Sequence, residues 1–134
     1  MENKRNTKRL KENLLDLLES QLYYDPCVSE TKRKYIISPT APRERADLVS
    51  WEFSGGVHIY RCCPKRASLA DLEKLRKEVD LFVGEGECVL SAMLISTTVS
   101  KTVVHAAKVL NATEQADEEL YNIVLASWTD LPII

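Results

Sequence analysis

The chain has few of the residues that interrupt regular structure, with 4 glycines and 5 prolines among 134 residues. Their scarcity favours helices and strands joined by short loops. No apolar run approaches the roughly 18–20 residues that cross a bilayer, and the residues after Met1 lack the apolar core of a signal peptide. We therefore expect a cytoplasmic protein without a membrane segment.

Cysteine and histidine are also scarce, and their spacing argues against a metal site. There is no C-x-x-C pair, and His58 and His105 do not complete a metal-finger pattern. Neither histidine has a partner serine or cysteine at a position that suggests catalysis. We expect no bound metal or other cofactor, and buried free thiols at the four cysteines, Cys27, Cys62, Cys63 and Cys88.

What is present is an ordinary globular composition, with 45% hydrophobic and 28% charged residues. This composition excludes a disordered tail, a collagen-like repeat and a disulfide-dense scaffold. The length matches one domain, since domains most often have roughly 100–150 residues. We expect a single domain over residues 1–134.

The net charge of −2 conceals an asymmetry along the chain. Residues 1–66 hold 13 Lys and Arg against 9 Asp and Glu, whereas residues 67–134 hold 5 against 11. A basic field over the whole protein is therefore excluded, but a basic face is possible. The candidates for nucleic-acid contact are Lys32, Arg33, Lys34, Arg43, Arg45, Arg61, Lys65 and Arg66. The alternative is that these are solubilising surface charges.

Hydrophobic spacing predicts the secondary structure. Leucines at helical spacing predict an amphipathic helix over 7–22, and capping signals bound two further helices, at 68–83 and from Ser100 to Leu110. A loop is expected at 113–119. The predicted strands are 27–38, 46–53, 57–63, 88–95 and 121–128. The Ser54-Gly55-Gly56 turn joins the second and third strands in a hairpin.

The elements therefore follow the order α-β-β-β-α-β-α-β. The strand–helix–strand–helix–strand succession from residue 57 to 128 implies right-handed crossovers and a parallel region, to which the hairpin adds antiparallel strands. This predicts an α/β protein with a mixed sheet flanked by helices on both sides.

This order, together with the hairpin R-A-D-L-V-S-W-E-F-S-G-G-V-H-I-Y-R-C-C-P, resembles the PD-(D/E)XK, or restriction-endonuclease-like, nuclease superfamily. The resemblance covers roughly residues 7–111. It implies a catalytic Asp on the second strand, which is Asp47 here, and Glu-x-Lys on the third. Carboxylates in such a site hold Mg²⁺, which activates water and polarises the phosphodiester.

The motif is degenerate in this chain, because Arg61 and Cys63 fall on the Glu and Lys positions. Arg cannot coordinate a cation, and Cys carries no ammonium. We expect Arg61 to form an ion pair with Asp47 across the hairpin, in place of a metal. The fold then implies a nucleic-acid-binding protein, for DNA or RNA, that has lost metal-dependent cleavage.

Two alternatives stay open. One is a structural or interaction subunit, acting as a homodimer or with a protein partner, which predicts no basic groove and an exposed apolar patch that includes the C-terminus (Leu131, Ile133, Ile134) or Trp128. The other is an active Mg²⁺-dependent nuclease with relocated motif residues, for which the candidates are Glu12, Glu19, Glu73, Lys74 and Lys77.

Overall fold

The computed structural model describes residues 2–116 and 122–128, and its elements follow the predicted order. They are α1 (Glu2–Tyr23), β1 (Val28–Ile36), β2 (Arg45–Glu52), β3 (Gly56–Cys62), α2 (Leu69–Gly84), β4 (Cys88–Ser96), α3 (Lys101–Ala116) and β5 (Asn122–Ser127). The loop expected at 113–119 is wrong over 113–116, where α3 continues. The rest of that loop and Leu131, Ile133 and Ile134 lie outside the described residues.

The five strands form one mixed sheet in the order β1-β2-β3-β4-β5. Strands β1, β2 and β3 pair in antiparallel fashion, whereas β3, β4 and β5 are parallel. The parallel strands need long crossovers, and α2 and α3 supply them. The mixed sheet predicted from the order of elements is confirmed.

Helices cover both faces of the sheet, as expected. Helix α1 packs Leu15 and Leu18 against Leu48, Tyr60 and Cys62. Helices α2 and α3 pack on the opposite face, where the buried residues include Ile59, Cys63, Leu72, Leu75, Val79, Phe82, Val103 and Ala107.

The cysteine prediction is half right. Cys62 and Cys63 are buried, one on each face of the sheet, as the alternation along a strand requires. Cys27 and Cys88 are exposed, so the expectation that they are buried is wrong. Both lie where a strand begins, at the end of the sheet, and there the helices do not cover them.

One end of the sheet matters for function, and we call it the Asp47 edge. At this edge β2 begins, while β1, β3, β4 and β5 end. Helix α1 also starts there, because it runs antiparallel to β1. Glu19, later in the helix, contacts Thr31, whereas Glu12, earlier in the helix, contacts Lys34. Within the described part of the chain, no helix is long and apolar enough to cross a membrane.

Candidate nucleic-acid interface and degenerate nuclease site

Strands β2 and β3 separate at Asp47. Their last paired residues toward this edge are Leu48 and Tyr60, so continuing the register would place Asp47 opposite Arg61. The ladder stops there, and the Asp47 carboxylate turns into the gap. Its Oδ2 accepts the backbone N–H of Cys62 at 2.9 Å. A side chain thus satisfies a strand N–H that no longer has a carbonyl partner on β2.

The other oxygen of Asp47 binds a lysine from α1. Lys11 Nζ lies 3.0 Å from Asp47 Oδ1, and the two side chains are 33% and 15% exposed. Lys11 is four and seven residues before Leu15 and Leu18, so it continues the buried stripe of the helix toward the sheet. The carboxylate at the motif Asp position is therefore already paired with a cation.

Arg61 pairs with α2. Its Nη1 lies 3.1 Å from Glu78 Oε1, and its Nε lies 3.9 Å from Asp71 Oδ1. The expected Asp47–Arg61 ion pair is therefore wrong, because Asp47 pairs with Lys11 and Arg61 with the acidic residues of α2. Arg61 lies on β3, on the strand where the resemblance implies the Glu of the motif.

Glu78 is buried to an unusual degree for a carboxyl group, with 3% of its surface exposed. It lies within the apolar stripe of α2, between Leu75 and Val79. Burial raises its pKa to about 8 and outweighs the lowering by Arg61, and the nearby negative charge of Asp47 adds to the rise. Its second oxygen, Oε2, is buried and has no hydrogen-bond partner among the described residues.

The third motif position, Cys63, faces the core on the α2 side. Burial raises the pKa of its thiol to about 12, with the Asp71 charge adding to the effect. Its backbone carbonyl accepts the indole N–H of Trp128 at 2.9 Å. A buried neutral thiol cannot supply the positive charge that the lysine of the motif provides.

The relocated motif residues considered from the sequence do not contact Asp47. Glu73 and Lys74 are exposed on α2, and Lys77 pairs with Glu44 at 2.8 Å. Glu12 and Glu19 both bind Arg33 of β1, at 3.7 and 3.2 Å. The acidic residue whose pKa responds to the charge of Asp47 is Glu78, which the sequence pattern did not single out.

The residues at this site do not fit the Mg²⁺ ion that the fold implies. The unpartnered Oε2 of Glu78 is an acceptor of the right type. However, each of the two acidic side chains already has a basic side chain as its partner, Lys11 on Asp47 and Arg61 on Glu78, and burial disfavours the ionised form of Glu78 that Mg²⁺ would need. Among the described residues, no group of three or more His, Cys, Asp or Glu is arranged to hold a metal.

The Asp47 edge carries several exposed basic residues with no ion pair among the described residues. Lys65 and Arg66 follow β3 on a segment fixed by two backbone hydrogen bonds, from Thr97 N–H to the Lys65 carbonyl and from Ala67 N–H to the Thr98 carbonyl. Among the residues whose side chains the structure describes, the exposed and unpaired basic residues on this edge are Lys8, Arg9, Arg43, Arg45, Lys65, Arg66 and Lys101.

The basic triplet on β1 is arranged differently. Arg33 is surrounded by three carboxylates of α1, those of Glu12, Asp16 and Glu19. Lys34, at a positive φ of 51°, reaches Glu12, and Lys32 lies 5.8 Å from the ring centres of Tyr35 and Trp51. Arg33 therefore adds no unpaired positive charge to the Asp47 edge, because the carboxylates of α1 neutralise it.

One expectation about histidine is also wrong. His58 does have a serine partner, because its Nδ1 lies 2.6 Å from Ser91 Oγ on β4. Strand alternation alone could not find this contact, since the pairing of β3 and β4 shifts by one residue between Val57 and His58. Lys11 and Glu78, by contrast, had a visible signal: each is a charged residue on an apolar helical stripe.

Sequence comparison gives no relative: no family model matches the chain, and no curated protein matches it. Two solved structures are similar in three dimensions. One is the EndoMS–dsDNA2 complex, with 11% identity and a TM-score of 0.53 over 87% of this chain and 43% of that chain. The other is a repair endonuclease from Pyrococcus abyssi, with 14% identity and a TM-score of 0.54 over 87% of this chain and 46% of that chain.

This chain spans less than half the length of either structure. At such low identity the similarity establishes the fold alone. The order of elements, the mixed sheet and the hairpin that carries Asp47 agree with it. The chain therefore has the restriction-endonuclease-like fold, as the resemblance of its hairpin to that superfamily implied.

Proposed function

We propose that this chain is a nuclease-like nucleic-acid-binding protein that does not carry out metal-dependent cleavage. One observation carries the second part: both acidic side chains at the degenerate site already have an internal basic partner, Lys11 on Asp47 and Arg61 on Glu78. A Mg²⁺ ion entering there would have to displace two ammonium or guanidinium groups that the fold holds in place. The chain then needs no metal cofactor.

The binding part rests on the exposed basic residues of the Asp47 edge. Phosphate groups are attracted by exposed Lys and Arg, and this term supplies most non-specific affinity for nucleic acid. Glu44 is partly exposed at this edge, but it is paired with Lys77, and Asp71 caps α2 by accepting the Ser68 N–H. Among the described residues, Glu85 and Glu87 lie at the opposite end of the sheet.

DNA is the nucleic acid that we propose first. One similar structure is, by its description, a complex with double-stranded DNA. In this chain the Asp47 edge is the surface that would face a duplex. The basic residues proposed as contacts are Arg43, Arg45, Lys65 and Arg66. Binding of RNA in preference to DNA is an outcome that the experiment below distinguishes.

The test is equilibrium binding of fluorescently labelled duplex DNA and duplex RNA over a series of salt concentrations. Lys65→Ala with Arg66→Ala removes two charges from the edge. Lys74→Ala with Lys108→Ala removes two exposed charges from the helical faces and serves as the matched control. If Lys65 and Arg66 each neutralise one phosphate, the slope of log K against log salt becomes roughly 2 units less steep. The control keeps the wild-type slope.

Two results would contradict the binding proposal. One is the absence of any nucleic-acid binding by the wild-type chain even at low salt. The other is equal weakening by the edge pair and the control pair, which would mean that net charge alone, and no particular surface, governs the interaction.

An interaction subunit is the second candidate, and exposed aromatic side chains favour it. Tyr23, Tyr24 and Phe53 are 81%, 70% and 76% exposed, and they lie at the end of the sheet away from Asp47. Exposed apolar groups of this size are typical of protein contacts. A homodimer remains our prediction under either function. A dimeric mass in solution without retention of nucleic acid would favour this second function.

A further inference from the structure

A second polar constellation lies on the α1 face of the sheet, at the end opposite to the Asp47 edge. His58 of β3 stands between a carboxylate of β2 and a hydroxyl of β4. Its Nε2 lies 2.7 Å from Glu52 Oε1, and its Nδ1 lies 2.6 Å from Ser91 Oγ. None of the three residues belongs to the degenerate nuclease site.

The direction of the two hydrogen bonds follows from the charge of Glu52. Hydrogen bonds from His58 and then from Ser54, whose Oγ donates to Glu52 Oε2 at 2.9 Å, lower the pKa of this carboxyl. An ionised carboxylate only accepts hydrogen bonds, so the Nε2 of His58 carries the proton. In the tautomer that carries its proton on Nε2, Nδ1 is an acceptor, and the hydroxyl of Ser91 donates to it.

Local distortions of the backbone create this alignment. Val57 pairs with Val89, but His58 pairs with Ser91, so Leu90 is an extra residue in β4. Without this bulge Ser91 would lie opposite Ile59, which faces the core on the α2 side. The bulge therefore moves Ser91 to the face that His58 occupies, as β-bulges near functional sites often do.

Gly56 makes room for the side chain of the bulge residue. A Cβ at this position would lie 2.1 Å from Cδ1 and 2.3 Å from Cγ of Leu90, far closer than any van der Waals contact. With a larger residue at position 56, the Leu90 side chain would have to move. The extra residue in β4 is the feature that brings Ser91 and His58 together.

The constellation is partly exposed to solvent. The side chains of His58 and Glu52 are 22% and 27% exposed, and Ser91 is partly exposed. A hydroxyl that donates to a neutral imidazole, which is in turn oriented by a carboxylate, has the connectivity of the serine–histidine–acid triad. The two ring nitrogens are used in the opposite order to the triad of chymotrypsin-type proteases.

We propose that Ser91 is a nucleophile for acyl transfer from small activated esters. Its Oγ forms a bond to the acyl carbon while its proton passes to His58 Nδ1, and the ester oxygen leaves with the bonding electron pair and takes that proton. Water attacks the acyl-serine by the reverse sequence and restores Ser91. His58 is the general base, and Glu52 is a positioning residue that fixes the ring tautomer and stabilises the imidazolium.

The test uses p-nitrophenyl acetate as the probe, with release of p-nitrophenolate followed by absorbance and the acetylated residue located by peptide mass spectrometry. Ser29 is the matched internal control, because it is an exposed strand serine that donates to the Trp51 carbonyl and not to an imidazole. We expect acetylation of Ser91 in preference to Ser29 in the wild-type chain, a comparison that needs no variant to fold.

Variants then assign the roles. Ser91→Ala should abolish the p-nitrophenolate release that accompanies acetylation of Ser91. His58→Gln should slow this release by about tenfold or more, since general-base catalysis typically increases a rate by roughly 10²–10⁴. Glu52→Gln should lower kcat for the acetylation of Ser91 and leave KM for the ester unchanged, because the ring loses the carboxylate that fixes its tautomer. A purely structural role for Glu52 would not produce this split between kcat and KM.

The proposal is overturned if Ser91 and Ser29 are acetylated at the same rate, or if His58→Gln leaves the rate at Ser91 unchanged while the variant keeps the wild-type fold by circular dichroism. Neither result bears on nucleic-acid binding at the Asp47 edge, which is a separate property of the other end of the sheet.

Discussion

Lys11 of α1 and Asp47 of β2 form an ion pair of 3.0 Å at the point where β2 and β3 separate. The pair ties the first helix of the chain to the junction of β2 and β3. It gives the carboxylate at position 47 a structural role, since Asp47 satisfies both the lysine and the N–H of Cys62.

Replacing Lys11 tests the structural value of this pair. Lys11→Met keeps most of the aliphatic stem and removes the charge. Because both side chains are partly exposed, we expect a loss of about 1 kcal/mol in the free energy of unfolding, measured by urea denaturation, and a smaller loss at high salt. Lys8→Met, at an exposed position of the same helix, is the control and should be neutral. Equal stability of the two variants would show that the pair contributes nothing.

Glu78 predicts a specific dependence of stability on pH. Its pKa is raised from 4.5 to about 8 in the folded chain, so the folded state keeps a proton that the unfolded state gives up. The stability due to this group is fully present below about pH 4.5 and is lost as the pH rises to about 8. The slope in this window is at most about 1.4 kcal/mol per pH unit.

Glu78→Gln removes this titration and keeps an oxygen that can accept from Arg61. We expect the variant to show a flatter fall of unfolding free energy between about pH 5 and about pH 8 than the wild-type chain. Glu73→Gln, an exposed position on the same helix, should retain the wild-type slope. A Glu78→Gln curve parallel to that of the wild type would mean that Glu78 is ionised in the folded chain.

Asn111 of α3 predicts how the edge strand β5 is held. Its side-chain amide accepts the Ile123 N–H at 2.8 Å and donates to the Ile123 carbonyl at 3.0 Å. Asn111→Ala leaves both backbone groups without a partner, so we expect a loss of about 1–3 kcal/mol. Asn111→Asp keeps only the acceptor and should fall between the two. Hydrogen exchange at Ile123 should accelerate in the same order, and no change there would contradict this role.

The order of elements and the mixed character of the sheet followed from the sequence because hydrophobic spacing and turn residues are local signals. The leucine stripe of α1, the Gly55-Gly56 turn and the apolar run of β4 each point to one element. The end of α3 did not follow, since residues 113–115 are polar, and only the structure shows that the helix extends through them.

The site was predictable only in part. Position alone placed Arg61 on β3, but its partner depended on how α2 crosses the sheet, and a single sequence does not give that geometry. Lys11 and Glu78 could have been suspected, because each interrupts an apolar stripe. The contact between His58 and Ser91 could not, since it depends on the bulge at Leu90, which reverses the expected alternation of β4.

The most direct test of the account is the response of the Asp47 site to divalent metal. Wild-type chain and Asp47→Ala are incubated with duplex and single-stranded DNA and RNA in the presence of Mg²⁺ or Mn²⁺, and cleavage products are resolved by gel electrophoresis. The account predicts no cleavage that depends on Asp47, with binding of nucleic acid retained. Metal-dependent cleavage by the wild-type chain that Asp47→Ala abolishes would contradict it.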